Sequence, residues 1–296
     1  CSGQNCKYRN EIGYQMKKES NLLTGSIWRG IVVFAIPLFM GNLFQQLYNT
    51  VDSLIVGNFL GSSALAAVSS SGSLIFMLIG FLSGISAGAG VIVARFFGAG
   101  DEKNLQRAVH TTVAFGLVAG VLMTGVGVAL SPQILRWMDT PESVMRESVT
   151  YLQIYFAGSL GFVMYNVLVG ILQAVGDSRH PLYYLIVSSV INLVLDLLFI
   201  TGFHTGVGGA AVATVISQIV SALLCFWQLL RTKESYGLKI RKIRFDKGIL
   251  VQIIKIGLPS GVQNSIIAFA NVIVQSNINA FGEMAMAGYG AYTKVE

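Results

Sequence analysis

The sequence predicts an all-α, polytopic membrane protein: a complete bundle of six spans, followed by the first one to two helices of a second bundle on the same plan. Composition is the first indication. Of 296 residues, 53% are apolar and 11% are charged, against roughly a quarter charged in a soluble domain. The distribution of charge is the second. Ile31 to Leu47, Leu65 to Ala94 and Leu182 to Leu195 contain no Asp, Glu, Lys or Arg, and such runs approach or exceed the ~20 apolar residues that cross a bilayer. The third is a segment near the start that recurs after six spans.

Taken in order, residues 1–25 form an N-terminal segment. Within it, CSGQNCKYRNEIGYQ has neither an apolar core nor a cleavage site, and Met16 before Lys17 and Lys18 reads as a natural start. Residues 1–15 are therefore read as a non-native leader, and the first span as its own insertion signal. Apolar runs between charged or Gly/Pro-rich breaks place spans at roughly 28 to 57, 66 to 95, 108 to 130, 147 to 174, 182 to 203, 209 to 230 and 249 to 280, with an eighth starting near 285.

Sorting cations by connection orients the spans. Lys7, Arg9, Lys17, Lys18 and Arg29 precede or open the first span. Arg95, Lys103 and Arg107 flank the second connection, Arg179 the fourth, and Arg231, Lys233, Lys239, Arg241, Lys242, Arg244 and Lys247 the sixth. The alternate connections hold only Arg136 and Arg146. The positive-inside rule then predicts a cytoplasmic N-terminus in an inner, plasma membrane. The net charge of +6 follows from these short basic connections; there is no basic face or aromatic-basic interleaving, so no nucleic-acid partner is expected. Cys1, Cys6 and Cys225 offer no paired framework, and Cys225, in an apolar run, reads as an inert buried thiol.

The repeat lays FAIPLFMGNLFQQLYNTVD, from Phe34, over IGLPSGVQNSIIAFANVIV, from Ile256, so that Pro37 meets Pro259, Asn42 meets Asn264, Asn49 meets Asn271 and Phe59 meets Phe281. Six spans, an even number, separate the copies, so both enter the membrane from the same side and the repeat is parallel. The expected organisation is a first lobe over residues 26–230, a basic cytoplasmic linker over 231–248 and the opening of a second lobe over 249–296, the chain being read as C-terminally truncated in mid-helix.

A polar stripe on a spanning helix marks a face turned to other helices or to water. The first span carries Asn42, Gln45, Gln46, Asn49 and Asp52 at steps of three or four; the fifth carries Ser188, Asn192 and Asp196 on one face; the sixth carries Thr214, Ser217, Gln218 and Ser221. A charge at this depth costs at least ~2.5 kcal/mol even on lenient insertion scales, which favours a working role for Asp52 and Asp196 over packing. At 1.5 Å per residue, Asp52 lies about 8 Å from Gly57, Asp196 about 12 Å from His204 and Thr214 about 8 Å from Gly209, one common level in the outer half. Such a set suits either a desolvated acid pair sharing a proton or oxygen ligation of Na⁺, and sequence leaves both open alongside a purely structural network. Asn264, Asn271 and Gln275 of the seventh span join the polar residues of the first span, Ser188 and Gln218 as candidates to line a cleft.

Pro37 and Pro259 lie inside spans, where the missing amide and the ring clash predict kinks. The small-residue run GFLSGISAGAG from Gly80 predicts close helix contact and lacks the lysine of a phosphate loop. His110, His180 and His204 lie near span ends and read as surface histidines; no metal site beyond Na⁺ at the acid pair, no cofactor and no enzyme motif is found.

Several of these segments, in order, are similar to the multidrug and toxic compound extrusion family: PLFMGNLFQQLYNTVDSLIVGNFLGSSALAAV, FFGAGDEKNLQRAV, GILQAVGDSRHPLYY, NLVLDLLFI with GVGGAAVATVISQ, and GLPSG. The resemblance runs from about Asn21 to the end. It implies a twelve-helix exporter of two six-helix lobes around a cleft open alternately to each side, driven by inward Na⁺ or H⁺ and exporting small amphipathic organic cations. It implies a coupling site at Asp52, Asn192, Asp196 and Thr214, the residues that the stripes single out. The chain departs from members with an acid in the seventh span, since Val274 stands where the repeat would copy Asp52. That favours coupling through the first lobe alone, as in the DinF-like branch. A monomer in the lipid bilayer is expected. A flippase for a lipid-linked precursor is disfavoured because no Lys or Arg lies in the apolar interior of spans two to six; a membrane-embedded interaction protein without transport is the other alternative.

Overall fold

A computed structural model describes residues 27–295 of the chain. Nine α-helices follow in order among these residues: α1 Ile27–Leu60, α2 Ser62–Gly98, α3 Glu102–Trp137, α4 Glu142–Ala157, α5 Ser159–Ala174, α6 Arg179–Leu197, α7 Val207–Arg231, α8 Lys247–Asn279 and α9 Glu283–Val295. No strand occurs among the described residues. Six of the helices are each long and apolar enough to cross a membrane, and α4 with α5 makes a seventh as one bent pair. The first, second, third and sixth spans run beyond their apolar runs at both ends, because polar and charged residues extend a helix once hydrogen bonding has begun. Residues 1–26, with the expected leader and the cations Lys7, Arg9, Lys17 and Lys18, lie outside the described residues.

Helices α1–α7 form one bundle. Helix α3 packs on α4 and α5, α7 on α5 and α6, and α1 lies along α6 and α2. Two apolar clusters fill the interior, one around Ile92, Leu105, Val109, Leu172 and Leu229 and the other around Val56, Leu135, Leu152, Phe156 and Ile200.

Span four is not straight. It bends by 50° between α4 and α5, at Gly158, where an added Cβ would stand 2.3 Å from the Val215 side chain of α7. Close approach to α7, rather than proline, sets this break. Pro37 and Pro259, by contrast, stay inside unbroken helices α1 and α8.

Helix α8 lies along α2 with almost no space between them. A Cβ on Gly84 would be 2.2 Å from the backbone nitrogen of Gly261, and one on Gly88 would be 2.4 Å from Cα of Gly257. Gly80, Gly84 and Gly88 recur at i, i+4 and i+8, one face of α2, so the small-residue run expected to allow close contact does so against α8. Where a side chain would separate the backbones, dispersion contacts between them would be lost.

At the face bearing the basic connections, the linker between α7 and α8 is a structured strap. Gln106 of α3 donates its side-chain amide to the carbonyls of Ser235 and, at 3.1 Å, Gly237. His110 bridges Gln106 O at 2.6 Å and the Lys239 amide at 3.1 Å. Thr111 accepts from Asp246 N at 3.1 Å, and Asp246 in turn caps α8 by accepting from Ile249 N at 3.2 Å. His110 is 3% exposed, which corrects its reading as a surface residue: its ring satisfies strap backbone groups that water would otherwise have to satisfy. His180 is half-buried against Asp177, and His204 is exposed.

Candidate functional site

Helices α1, α6 and α7 converge on one polar cluster. Asp196 closes the stripe on α6, one helical turn beyond Asn192, and is fully buried. With its amide nitrogen turned to the carboxylate, Asn192 donates to Asp196 Oδ2 at 2.8 Å and accepts from the Thr214 amide at 3.2 Å. Thr214 Oγ1 donates to Ala210 O at 3.0 Å, fixing the start of α7 beside the acid. Asp52, half-buried on α1, presents its carboxylate to Asp196 closely enough for each to feel the other's charge. The four residues singled out by their stripes, Asp52, Asn192, Asp196 and Thr214, are thus brought together.

The second oxygen of Asp196, Oδ1, has no hydrogen-bond partner among the described residues. Two carboxylates this close disfavour each other's charge, a repulsion that a shared proton or a bound cation would relieve. The surrounding oxygens of Asn192 and Thr214 add neutral donors of the kind that suits hard cations. Immediately after Asp196, α6 passes into a π-helical turn, Leu198–Gly202, a local widening that often accompanies functional sites.

Three tyrosines complete the site and were missed in the sequence. Tyr48, one turn before Asp52 on α1, hydrogen-bonds Thr214. Tyr151 and Tyr155 of α4 stack at 6.5 Å, with Asp52 acting on Tyr151. Their i, i+4 spacings to one another and to Asp52 were a usable signal, lost because aromatic residues count as apolar in a stripe.

The other candidates separate. Ser188 is buried and donates to Leu185 O at 3.0 Å; Gln218 is buried with Oε1 lacking a partner among the described residues. Asn42 and Gln46 are exposed, and Gln45 and Asn49 half-buried, along the α1 face before Asp52. On α8, Asn264 reaches Gly80 O at 3.4 Å and Asn271 is exposed. Gln275 is 1% exposed and donates to Asn279 Oδ1 at 2.9 Å, while Asn279 donates to Met138 O at 2.9 Å. It lies in a buried contact between α8 and the first bundle, where hydrogen-bonded amides close the junction.

The sequence model of MatE matches residues 37–198, more than half of the chain and the stretch that holds Asp52, Asn192 and Asp196. The chain belongs to the MatE family. A curated relative, "Probable multidrug resistance protein YoeA" of Bacillus subtilis (strain 168), is 34% identical over 277 residues, covering 91% of this chain and 60% of that protein. This MatE chain also superimposes on solved structures. An outward-facing multidrug resistance MATE family transporter of the MOP superfamily matches with a TM-score of 0.81 at 26% identity, over 94% of this chain and 65% of that one. An inward-facing form matches with a TM-score of 0.79 at 27% identity, over 88% and 61%. The chain thus spans about 60% of the length of the curated relatives it matches.

Proposed function

We propose that this MatE chain supplies the cation-coupling lobe of a secondary multidrug exporter. In this reading it exports small amphipathic organic cations in antiport with Na⁺ or H⁺, by alternating access between two lobes of which residues 27–231 form the first. Asp196, fully buried and facing Asp52 with one carboxylate oxygen unpartnered among the described residues, carries the reading. Such a group is retained in a membrane helix at a cost of at least ~2.5 kcal/mol, and taking up and releasing a cation is the use that repays it.

The coupling ion binds between Asp52 and Asp196, with Asn192 holding the second acid and Thr214 and Tyr48 holding α7 to α1. Neutralising the pair removes the repulsion between α1 and α6 and lets the outer half of α1, beyond Pro37, approach the bundle. That movement squeezes the organic cation from the cleft, and release of the ion returns the lobe to the state that binds substrate. Val274, exposed on α8 at the position that the repeat pairs with Asp52, supports coupling through the first lobe alone, as in the DinF-like branch. The basic connections support a plasma-membrane protein with a cytoplasmic N-terminus.

The test is dye efflux by the protein in vesicles under an imposed Na⁺ or pH gradient. Wild type should respond to one gradient, and Asp52→Asn and Asp196→Asn should each lose at least tenfold in rate at unchanged protein amount. Wild-type rates in both variants would overturn the assignment.

A further inference from the structure

The strap joining α7 to α8 holds a group of cations that the coupling site does not use. Lys239, Arg241, Lys242, Arg244 and Lys247 fall within nine residues and are all exposed. The ion pairs among the described residues are Arg107 with Asp246, at 3.8 Å, and His180 with Asp177, so none of the five is neutralised by a carboxylate. Asp246, the acid inside this stretch, is held by Arg107 and by the α8 cap.

The backbone of the strap faces α3. Lys239 is fixed through its amide to His110, Arg244 through its carbonyl to Thr111 at 3.4 Å, and the 3₁₀ turn Ile240–Lys242 lies between these two anchors. Tyr236 and Leu238 are buried in the apolar cluster, and Tyr236 meets Phe97 edge-on at 6.2 Å. With the backbone pinned and those two side chains turned inward, the cations project outward in a fixed arrangement instead of trailing from a flexible loop.

Two large apolar side chains project with them: Ile240 is 60% exposed and Phe245 46% exposed. The strap leaves one membrane-spanning helix at Arg231 and enters another at Lys247, so it lies at the bilayer surface. Apolar side chains exposed there among cations match the boundary between headgroups and acyl chains, with cations at phosphate level.

We propose that residues 239–247 form a binding surface for the headgroups of anionic phospholipids at the membrane face on which the strap lies. A fixed cluster recognises lipid phosphate and net negative headgroup charge together, and each basic residue near an anionic surface strengthens partition by roughly fivefold. Because the same strap is anchored to α3 and caps α8, bound lipid also holds the first bundle and α8 in register at that face.

The experiment is a thermal-stability titration of the purified chain in neutral detergent with short-chain phosphatidylglycerol or phosphatidylcholine. For wild type, phosphatidylglycerol should raise the midpoint saturably and phosphatidylcholine should not. The effect should shrink in high salt, since exposed charge interactions are screened. In Lys239→Gln/Arg241→Gln/Lys242→Gln/Arg244→Gln, whose side chains are exposed and carry no ion pair among the described residues, the half-saturating concentration should rise at least tenfold. Lys239→Arg/Lys242→Arg should behave as wild type, and so should Arg95→Gln/Lys103→Gln, which removes cations elsewhere on that face. Equal responses to the two lipids in wild type, an unshifted quadruple variant, or an equal loss in Arg95→Gln/Lys103→Gln would overturn the proposal. So would a midpoint that an RNA oligomer raises and phosphatidylglycerol does not.

Discussion

Helices α1 and α8 are copies of one sequence pattern, yet they do different things. Both carry an internal proline and two asparagines in register, and both remain single helices across the proline. Helix α1 brings Asp52 against Asp196 of α6, whereas α8 meets α2 through Gly257 and Gly261 and leaves Val274, its counterpart of Asp52, exposed. The shared positions therefore describe how a helix opens a lobe. What that helix does is decided by the residues between them: an acid opposite an acid in one copy, glycine opposite glycine in the other.

The largest effect expected from breaking this contrast is at the acid pair, where Asp196→Asn in the protein should abolish gradient-driven efflux without lowering its amount in the membrane. Next comes the glycine seam. Gly84→Ala would place a methyl group within 2.2 Å of the Gly261 backbone, so α2 and α8 must separate, at a cost of about 1–3 kcal/mol typical of overpacking. The midpoint of thermal unfolding in detergent should fall accordingly, with Gly261→Ala behaving alike.

Moving the acid between copies sharpens the comparison. Asp52→Asn/Val274→Asp should not regain efflux, because α8 packs on α2 and not on the helices that carry Asn192, Asp196 and Thr214; recovered efflux would show the two copies to be interchangeable. Tyr48→Phe, which removes one hydrogen bond to Thr214 worth about 1 kcal/mol, should weaken apparent coupling-ion affinity by about fivefold and leave the maximal rate near wild type.

The smallest effect is at the turn before α3. The Asn104 backbone amide and then its side chain, both bonded to Asp101, hold that carboxyl below its ordinary value. A lowered pKa in the fold adds stability above the ordinary carboxylate value, and this is lost as pH falls through the lowered one. Asp101→Ala should therefore unfold slightly below wild type at neutral pH, with the gap closing below about pH 4.

Much of this was legible in the sequence, for a physical reason. A polar side chain in an apolar run is costly, so Asp52, Asn192, Asp196 and Thr214 stood out from their own helices, and the span order followed from apolar runs alone. What depended on a partner was not legible. The bend at Gly158 exists because Val215 of α7 comes close, the burial of His110 because the strap folds back on α3, and the closure of Gln275 because Asn279 and Met138 meet it. Tyr48, Tyr151 and Tyr155 were hidden for another reason: their rings read as core, and only their hydroxyl groups belong to the site.

The central claim is that Asp52 and Asp196 hold the coupling ion, and ion release on substrate binding tests it most directly. Adding an organic-cation dye to the purified protein in weakly buffered solution should displace H⁺ or Na⁺, read by an indicator for each. Wild type and Val274→Ala should release the ion in equal amount, and Asp52→Asn and Asp196→Asn should release none. Release of wild-type size from both aspartate variants would contradict the account.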